Sequence, residues 1–534
     1  MSTRAETDPR PAEVESGGAD PAELGGGYSR YVLAVLVVVY VLNFLDRNII
    51  TILAEDIKAD LGMSDSQIGF LYGTAFAVFY AVFGIPLGRL ADVWNRRSLI
   101  SIGLAFWSLM TAVSGLARSF SQLASARIGV GVGEASATPA AYSMLMDSFP
   151  AAARATVLSL YSSGIYIGAG LGLLIGGQVV DRWKTAFPAG TGPFGLEGWQ
   201  AAYLAVGLPG LLAAIWVRTL REPRRGAADG IFTPPERHPF REFFRELRAV
   251  VPPFTVFHLW RGGAGSRGLL NNFVAAASIA AGAAVLIRVT GDPLQWMALG
   301  LGAYATVSWA QGLGLRDPPA AALIFGSPSL RYAGLGFSFL AFVGYGIGGW
   351  TPPFFIRVHG QDSGEVGVIV GTTAAVAGLL GVTFGGLLAD RLRRRVHGGR
   401  LYVGLLAAVL PIPLALWMLT TDNVTLAYVI NFPLTFLTAM WIGAGASTVQ
   451  DLVLPRMRAV ASAAYILVLT LVGFALGPYV IGQLSDALGD LPAAMRWSLV
   501  VCGLSVSFLA LALRHLEHDE KTMLARARAA GEDA

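Results

Sequence analysis

The chain has 534 residues, 54% hydrophobic and only 14% charged, against roughly 25% charged in an ordinary soluble domain. Its mean hydropathy is positive, which excludes a water-soluble globular domain and makes an integral membrane protein the expectation. The net charge of +4 does not point to nucleic acid, because the arginines cluster in short loops between apolar runs, the pattern of a polytopic membrane protein; no nucleic-acid partner is expected.

Residues 1–28 are polar, Gly-rich and acidic, without an apolar core or cleavage-site pattern, and read as a disordered tail and not a signal peptide. Since about 20 apolar residues cross a bilayer as helix, the sequence then predicts six spans at about 31–53, 66–88, 98–117, 121–146, 154–180 and 199–219. These make a first bundle over 29–220. Residues 221–330 are a linker followed by two further apolar stretches, about 272–288 and 293–313, around the turn Thr290-Gly291-Asp292-Pro293. Six more spans, about 331–355, 366–389, 400–420, 424–449, 458–482 and 494–514, make a second bundle over 331–516, and 517–534 form a tail. The sole cysteine, Cys502, falls in the last span, so no disulfide framework is available.

Arginines fix the expected orientation. Arg89, Arg96 and Arg97 follow span two, whereas Glu55, Asp56, Asp60 and Asp65 follow span one, so both termini and the loops rich in arginine are expected in the cytoplasm. The linker carries Arg221, Arg224, Arg225, Arg237, Arg241 and Arg245; within it Phe243, Phe244 and Leu247 are compatible with an amphipathic helix on the inner surface or with a solvated charged linker. The plasma (inner) membrane is the expected location.

Ionisable residues inside the spans are costly unless paired or hydrated. Asp46 and Arg47 share the first span, and Arg127 and Glu134 flank the glycine-rich run Arg127-Ile128-Gly129-Val130-Gly131-Val132-Gly133-Glu134 of the fourth. At about 1.5 Å per residue, Asp46 lies roughly 22 Å up from Tyr31, Arg127 roughly 9 Å and Glu134 roughly 20 Å down from Ser121. In a core of about 30 Å, Asp46 and Arg127 are thus expected at one depth and Glu134 one to two turns below. Two carboxylates beside two guanidiniums form either a proton-coupling device, in which moving an arginine switches proton affinity, or a static ion-paired strut. Asp46 and Glu134 are the proton-site candidates, and Arg47, Arg127, Tyr166 and Trp350 the candidates for substrate contact. Gly164, Gly168, Gly172 and Gly176 form a one-faced stripe that favours close helix packing.

The run Gly88-Arg89-Leu90-Ala91-Asp92-Val93-Trp94-Asn95-Arg96-Arg97 returns as Gly386-Leu387-Leu388-Ala389-Asp390-Arg391-Leu392-Arg393-Arg394-Arg395. Both copies resemble the cytoplasmic loop between the second and third helices of each half in the major facilitator superfamily. The resemblance implies an all-α polytopic membrane protein with the major facilitator superfamily fold, two six-helix bundles plus two extra helices between them. It further implies a cytoplasmic latch made by Gly88, Asp92 and Arg96, echoed by Asp390 and Arg394. Asn43-Phe44-Leu45-Asp46-Arg47 resembles the first-helix signature of spinster-type transporters. That likeness implies proton coupling through Asp46 and Glu134 and an anion partner in Arg47.

No glycine-rich phosphate loop precedes a Lys-Ser or Lys-Thr, and the six histidines are scattered, so neither an enzyme, a cofactor nor a metal is expected. The expected function is alternating-access secondary transport, proton-coupled export by antiport of an amphipathic or organic anion such as a lysolipid. The alternatives are an uncoupled facilitator, a proton symporter of organic anions, and a receptor or scaffold without transport. Expected partners are a small-molecule or lipid-like substrate, protons and membrane lipid, with the chain a monomer.

Overall fold

In lipid a backbone satisfies its own hydrogen bonds only as helix or closed barrel, and this chain takes the first course, with no strand among the described residues. The computed structural model describes residues 24–188, 191–229 and 236–532. Most of the expected N-terminal tail therefore lies outside the described residues, and helix has begun at Gly27.

The first bundle comprises α1 (Gly27–Leu61), α2 (Asp65–Val93), α3 (Arg96–Ser114), α4 (Phe120–Glu134), α5 (Ala137–Ser148), α6 (Thr156–Ala186) and α7 (Gly198–Arg218). Here α4 and α5 are two pieces of one span, broken at Ala135 and Ser136. The inserted region contributes α8 (Pro239–Val250), α9 (Phe254–Arg261), α10 (Gly265–Thr290), α11 (Pro293–Arg316) and α12 (Pro318–Gly326). The second bundle comprises α13 (Pro328–His359), α14 (Ser363–Arg393), α15 (Gly399–Met418), α16 (Val424–Asp451), α17 (Pro455–Leu488) and α18 (Leu491–Ala529). Among the described residues, 12 helices are long and apolar enough to cross a membrane. The broken α4–α5 span and α11, which carries Gln295, Tyr304, Ser308 and Gln311, run beside them. The fold is that of two six-helix bundles with an inserted helix pair, as the sequence implies. The first and last described residues and both repeated loops lie at one end of the bundles, here called the terminal end; the α1–α2 turn lies at the far end.

Local chemistry sets the turns. Gly62, at φ 64°, closes α1 by donating its N–H to the Lys58 carbonyl, the left-handed cap that glycine adopts without strain. Ser64 and Gln67 then form a reciprocal capping box that starts α2. Asn95 caps α3 by accepting from the Ser98 N–H at 2.8 Å. In the middle of α17 a π-turn spans Leu469–Ala475, and its Ala475 carbonyl accepts from the Thr74 hydroxyl at 2.9 Å. A π-turn frees a carbonyl from the α-helical ladder, and that bond ties α2 to the opposite bundle.

Glycines set the close crossings. The stripe read in the sequence packs α6 on α1 within one bundle: a Cβ on Gly168 would lie 2.3 Å from the Val41 carbonyl oxygen, and one on Gly172 2.8 Å from that of Leu45. A second set on the same helix, Gly170 and Gly177, meets α14 of the other bundle, at 2.4 Å from Gly371 O and 2.2 Å from Ser363 O. One helix is thereby pressed between its own bundle and its counterpart.

The inserted pair divides its labour. α10 has none of its most apolar stretch buried and faces lipid, whereas α11 sits against both bundles, Gly302 lying between Val78 of α2 and Leu471 of α17. The pair is apolar in sequence, but tertiary contact makes a buried chain of hydrogen bonds from Thr255 to Tyr304 to Asn272, which donates to Gln311 at 2.8 Å. The linker forms α8, whose Phe240 packs on Trp94 at 5.1 Å between ring centroids. α18 continues through residues 517–529, where Asp519 accepts from Ser327 Oγ and the Ser329 N–H, both at 2.7 Å.

Gly170→Leu is expected to destabilise the chain by about 1–3 kcal/mol through overpacking, lowering the apparent unfolding temperature in detergent. Gly84→Ala, at a helical site with open space around it, is expected to hold or raise that temperature.

Candidate functional site between the bundles

The glycine run of α4 is what brings its two charges to the centre. A Cβ on Gly131 would stand 2.5 Å from the Phe76 carbonyl oxygen of α2, and one on Gly133 2.9 Å from Trp107 Cβ of α3. With only hydrogens at these positions α4 wedges between α2 and α3 and presents Glu134 to α1. There Arg47 Nη2 donates to Glu134 Oε2 at 2.9 Å and to Asn43 Oδ1 at 3.3 Å. Both members are buried, their side chains 9% and 0% exposed. The Arg47 guanidinium also lies among aromatic faces, 4.4 Å from the Phe76 ring centroid, 4.5 Å from Phe44 and 5.9 Å from Phe474 of the opposite bundle. Such rings attract a cation most strongly where water is excluded.

Arg127 behaves differently. It is fully buried and donates to backbone carbonyls, those of Asp46 at 3.0 Å and Arg47 at 3.3 Å. The expected common depth of Asp46 and Arg127 is therefore found, but through main-chain oxygens and not through the carboxylate. Asp46 turns its side chain toward Trp107 and Thr111 of α3, and its Oδ1 is buried without a hydrogen-bond partner.

A cavity of about 210 Å³ lies between the bundles with Arg47, Asn48 and Thr51 on the α1 side and Tyr345, Asn431 and Thr435 opposite. Most of the remaining wall is apolar, including Phe44, Ile165, Leu173, Val370 and Ile442. Arg47 and Tyr166 line it as the sequence suggests, and Tyr166 Oη is buried with no partner. Arg127 and Trp350 lie outside it: Trp350 is 2% exposed and donates Nε1 to the Pro478 carbonyl at 2.9 Å, while Trp441 supplies the tryptophan of the wall. Asn48, Tyr345, Asn431 and Thr435 escaped the sequence reading because single polar residues in apolar spans carry no signal until the halves are apposed.

The two ends of the interface differ. At the far end Arg357 of α13 reaches across to Glu55 at 2.6 Å and Asp65 at 2.7 Å. Ser485 Oγ donates to Asp65 at 2.6 Å, and Asp486 accepts from the Asp65 and Ser66 N–H groups at 2.9 and 2.7 Å. At the terminal end no ion pair joins the bundles directly among the described residues. Asp92 is exposed there without an ion-pair partner, and nothing stands within 4 Å of a Cβ built on Gly88.

Of the latch residues, Arg96 binds within its own half and the adjoining linker, in a register that the loop motif concealed. Arg96 donates to Ser143 Oγ at 2.8 Å and pairs with Asp147 and with Glu222, the latter at 2.8 Å. The counterpart is Arg400, not Arg394: Arg400 donates to the Ser447 carbonyl at 3.0 Å and pairs with Asp451, whereas Arg394 is exposed. Asp390 is only 3.5 Å from Arg400. Arg154 and Arg458 repeat the correspondence, donating to the carbonyls of Met146 and Gln450. Matching aspartate to aspartate and arginine to arginine shows the second loop to be six residues longer than the first.

A pair of helical bundles closed at one end around a buried cation and a polar-flecked cavity is the architecture of a membrane transporter. The Major Facilitator Superfamily profile matches residues 36–478, and the chain belongs to that superfamily, in its spinster-like group. It is 26% identical over 459 residues to an MFS-type efflux pump of Mycolicibacterium smegmatis, covering 86% of this chain and 85% of the relative. It is 27% identical over 504 residues to human protein spinster homolog 1, covering 90% of this chain and 79% of that one. Among solved structures, a bacterial homolog of the human lysosomal transporter Spinster, inward-facing and unoccupied, superposes with a TM-score of 0.65 at 26% identity, covering 95% of this chain and 99% of that one.

Arg357→Gln is expected to weaken the far-end closure by about 1–2 kcal/mol, a shift of about 5–30-fold in the open-to-closed ratio. Spin labels at Ala59→Cys and Ala487→Cys in a Cys502→Ser background should report it as growth of a longer distance. Arg400→Ala is expected to lower the apparent unfolding temperature, and Arg394→Ala to change stability by no more than about 0.5 kcal/mol.

Proposed function

We propose that the chain is a proton-coupled secondary transporter of an amphipathic or organic anion, with both termini and the repeated loops in the cytoplasm and the far-end closure facing outward. The observation that carries this reading is the position of Arg47: its guanidinium borders the cavity while holding Glu134 at 2.9 Å. An anion in the cavity competes with Glu134 for that one cation. A carboxylate that loses its cationic neighbour in a dry interior takes up a proton, and the coupling is reciprocal. The apolar wall around a single cation suits a ligand with a charged head and an apolar body, such as a lysolipid.

This competition has a definite sign. Anion binding draws a proton in, so both ride the same half-cycle, which is symport of proton and organic anion. Export by antiport requires the reverse, a proton leaving as substrate binds, with Asp46, buried and unpaired at Oδ1, as the second carboxylate. The likeness to a mycobacterial protein named as an efflux pump favours that second reading.

The test adds oleate or lysophosphatidylglycerol to purified protein in weak buffer and follows pH and binding together. Proton uptake in wild type, lost in Glu134→Gln with binding retained, supports symport; proton release, lost in Asp46→Asn or Glu134→Gln, supports antiport. Binding without proton movement overturns coupling and leaves a facilitator. Arg47→Gln is expected to weaken anion binding by about tenfold or more.

A further inference from the structure

The far-end turn of the inserted pair does more than join two helices. Between it and the seam of the bundles lies a second cavity of about 180 Å³, walled by Gln67 and Phe70 of α2, Phe120 of α4, Asp292 and Gln295 of the inserted hairpin, and Tyr479 of α17. Gln295 is 1% exposed, and both its Oε1 and Nε2 are buried without hydrogen-bond partners. A buried primary amide left with all its polar valences open is costly, and a polar occupant would offset that cost. Asp292 stands at the same wall, where Tyr479 Oη donates to its Oδ2 at 2.7 Å. No arginine or lysine lines the cavity.

The charge and the rings select the occupant. The Asp292 carboxylate, the unpartnered Gln295 amide and the rings of Phe70, Phe120 and Tyr479 border this cavity, and a carboxylate among aromatic rings is a recognition set for an ammonium group, which combines cation–π attraction with ion pairing. An anion would meet the Asp292 carboxylate with no basic side chain to oppose it. We infer that the inserted hairpin builds a binding site for an ammonium-bearing ligand at the far-end seam, whether a small soluble amine or the head group of an ammonium lipid. The wall draws on α2 and α4 from one bundle and α17 from the other, so the occupant fastens the closed seam. A ligand that binds the closed arrangement alone shifts the transporter toward it.

The soluble source is tested with choline and ethanolamine on the detergent-purified full chain, with 3,3-dimethylbutanol as the uncharged isostere of choline. Either amine is expected to raise the apparent unfolding temperature saturably, the isostere is not, and Asp292→Asn and Gln295→Leu should each raise the half-saturating concentration about tenfold or more. The lipid source is tested in nanodiscs: phosphatidylethanolamine should stabilise wild type over phosphatidylglycerol, and the two variants should lose that difference. Either pattern supports the site. Gln295→Glu adds a second carboxylate at similar volume and should tighten amine binding, which keeps the test readable if the neutral variants fold poorly. The proposal is overturned if neither amine nor phosphatidylethanolamine stabilises wild type, or if all three variants respond as wild type does.

Discussion

A guanidinium at mid-depth in a bilayer has to be surrounded by partners, and the centre of this protein is organised around two of them. Arg127 donates to main-chain carbonyls of α1, which makes it a bolt between α4 and α1. Arg47 keeps one carboxylate, one amide and a set of aromatic faces, and it alone of the pair borders the cavity. The glycine run of α4 and the glycine stripe of α6 serve that arrangement, since side chains there would hold the helices too far apart for Arg47 to reach Glu134. Burying the charge is expensive, and the expense is tolerable only because the surrounding backbones approach so closely.

The same economy explains why the two ends of the interface are unlike. A closed far end needs cross-bundle contacts that can break, and ion pairs such as Arg357 with Glu55 and Asp65, in which the arginine side chain stays 28% exposed, hold firmly without committing the desolvation of a fully buried pair. At the terminal end Arg96 and Arg400 are occupied within their own halves, which keeps each bundle rigid while the gap between them is open. Asp92 stays exposed beside them without an ion-pair partner. The inserted pair touches both bundles through α11, while α10 keeps its apolar stretch on the outside.

The sequence by itself determined the membrane class, the two related halves, the inserted pair and which spans carry buried charges. Apolar run length and arginine placement are local properties, and an ionisable residue inside a span announces itself without any neighbour. It also placed Asp46 and Arg127 at a common depth, because helical rise is fixed. What it left open was every question of partnership. That Arg47 and not Arg127 takes Glu134, that Trp350 turns to Pro478, and that Arg400 answers to Arg96 across a longer loop all depend on helix rotation and loop length, which the motif alone misassigned to Arg394. The cavity wall and the open amide of Gln295 exist only once helices distant in the chain are pressed together. Charge and hydropathy are written residue by residue, but a site between bundles is a property of their apposition, and only the tertiary structure decided it.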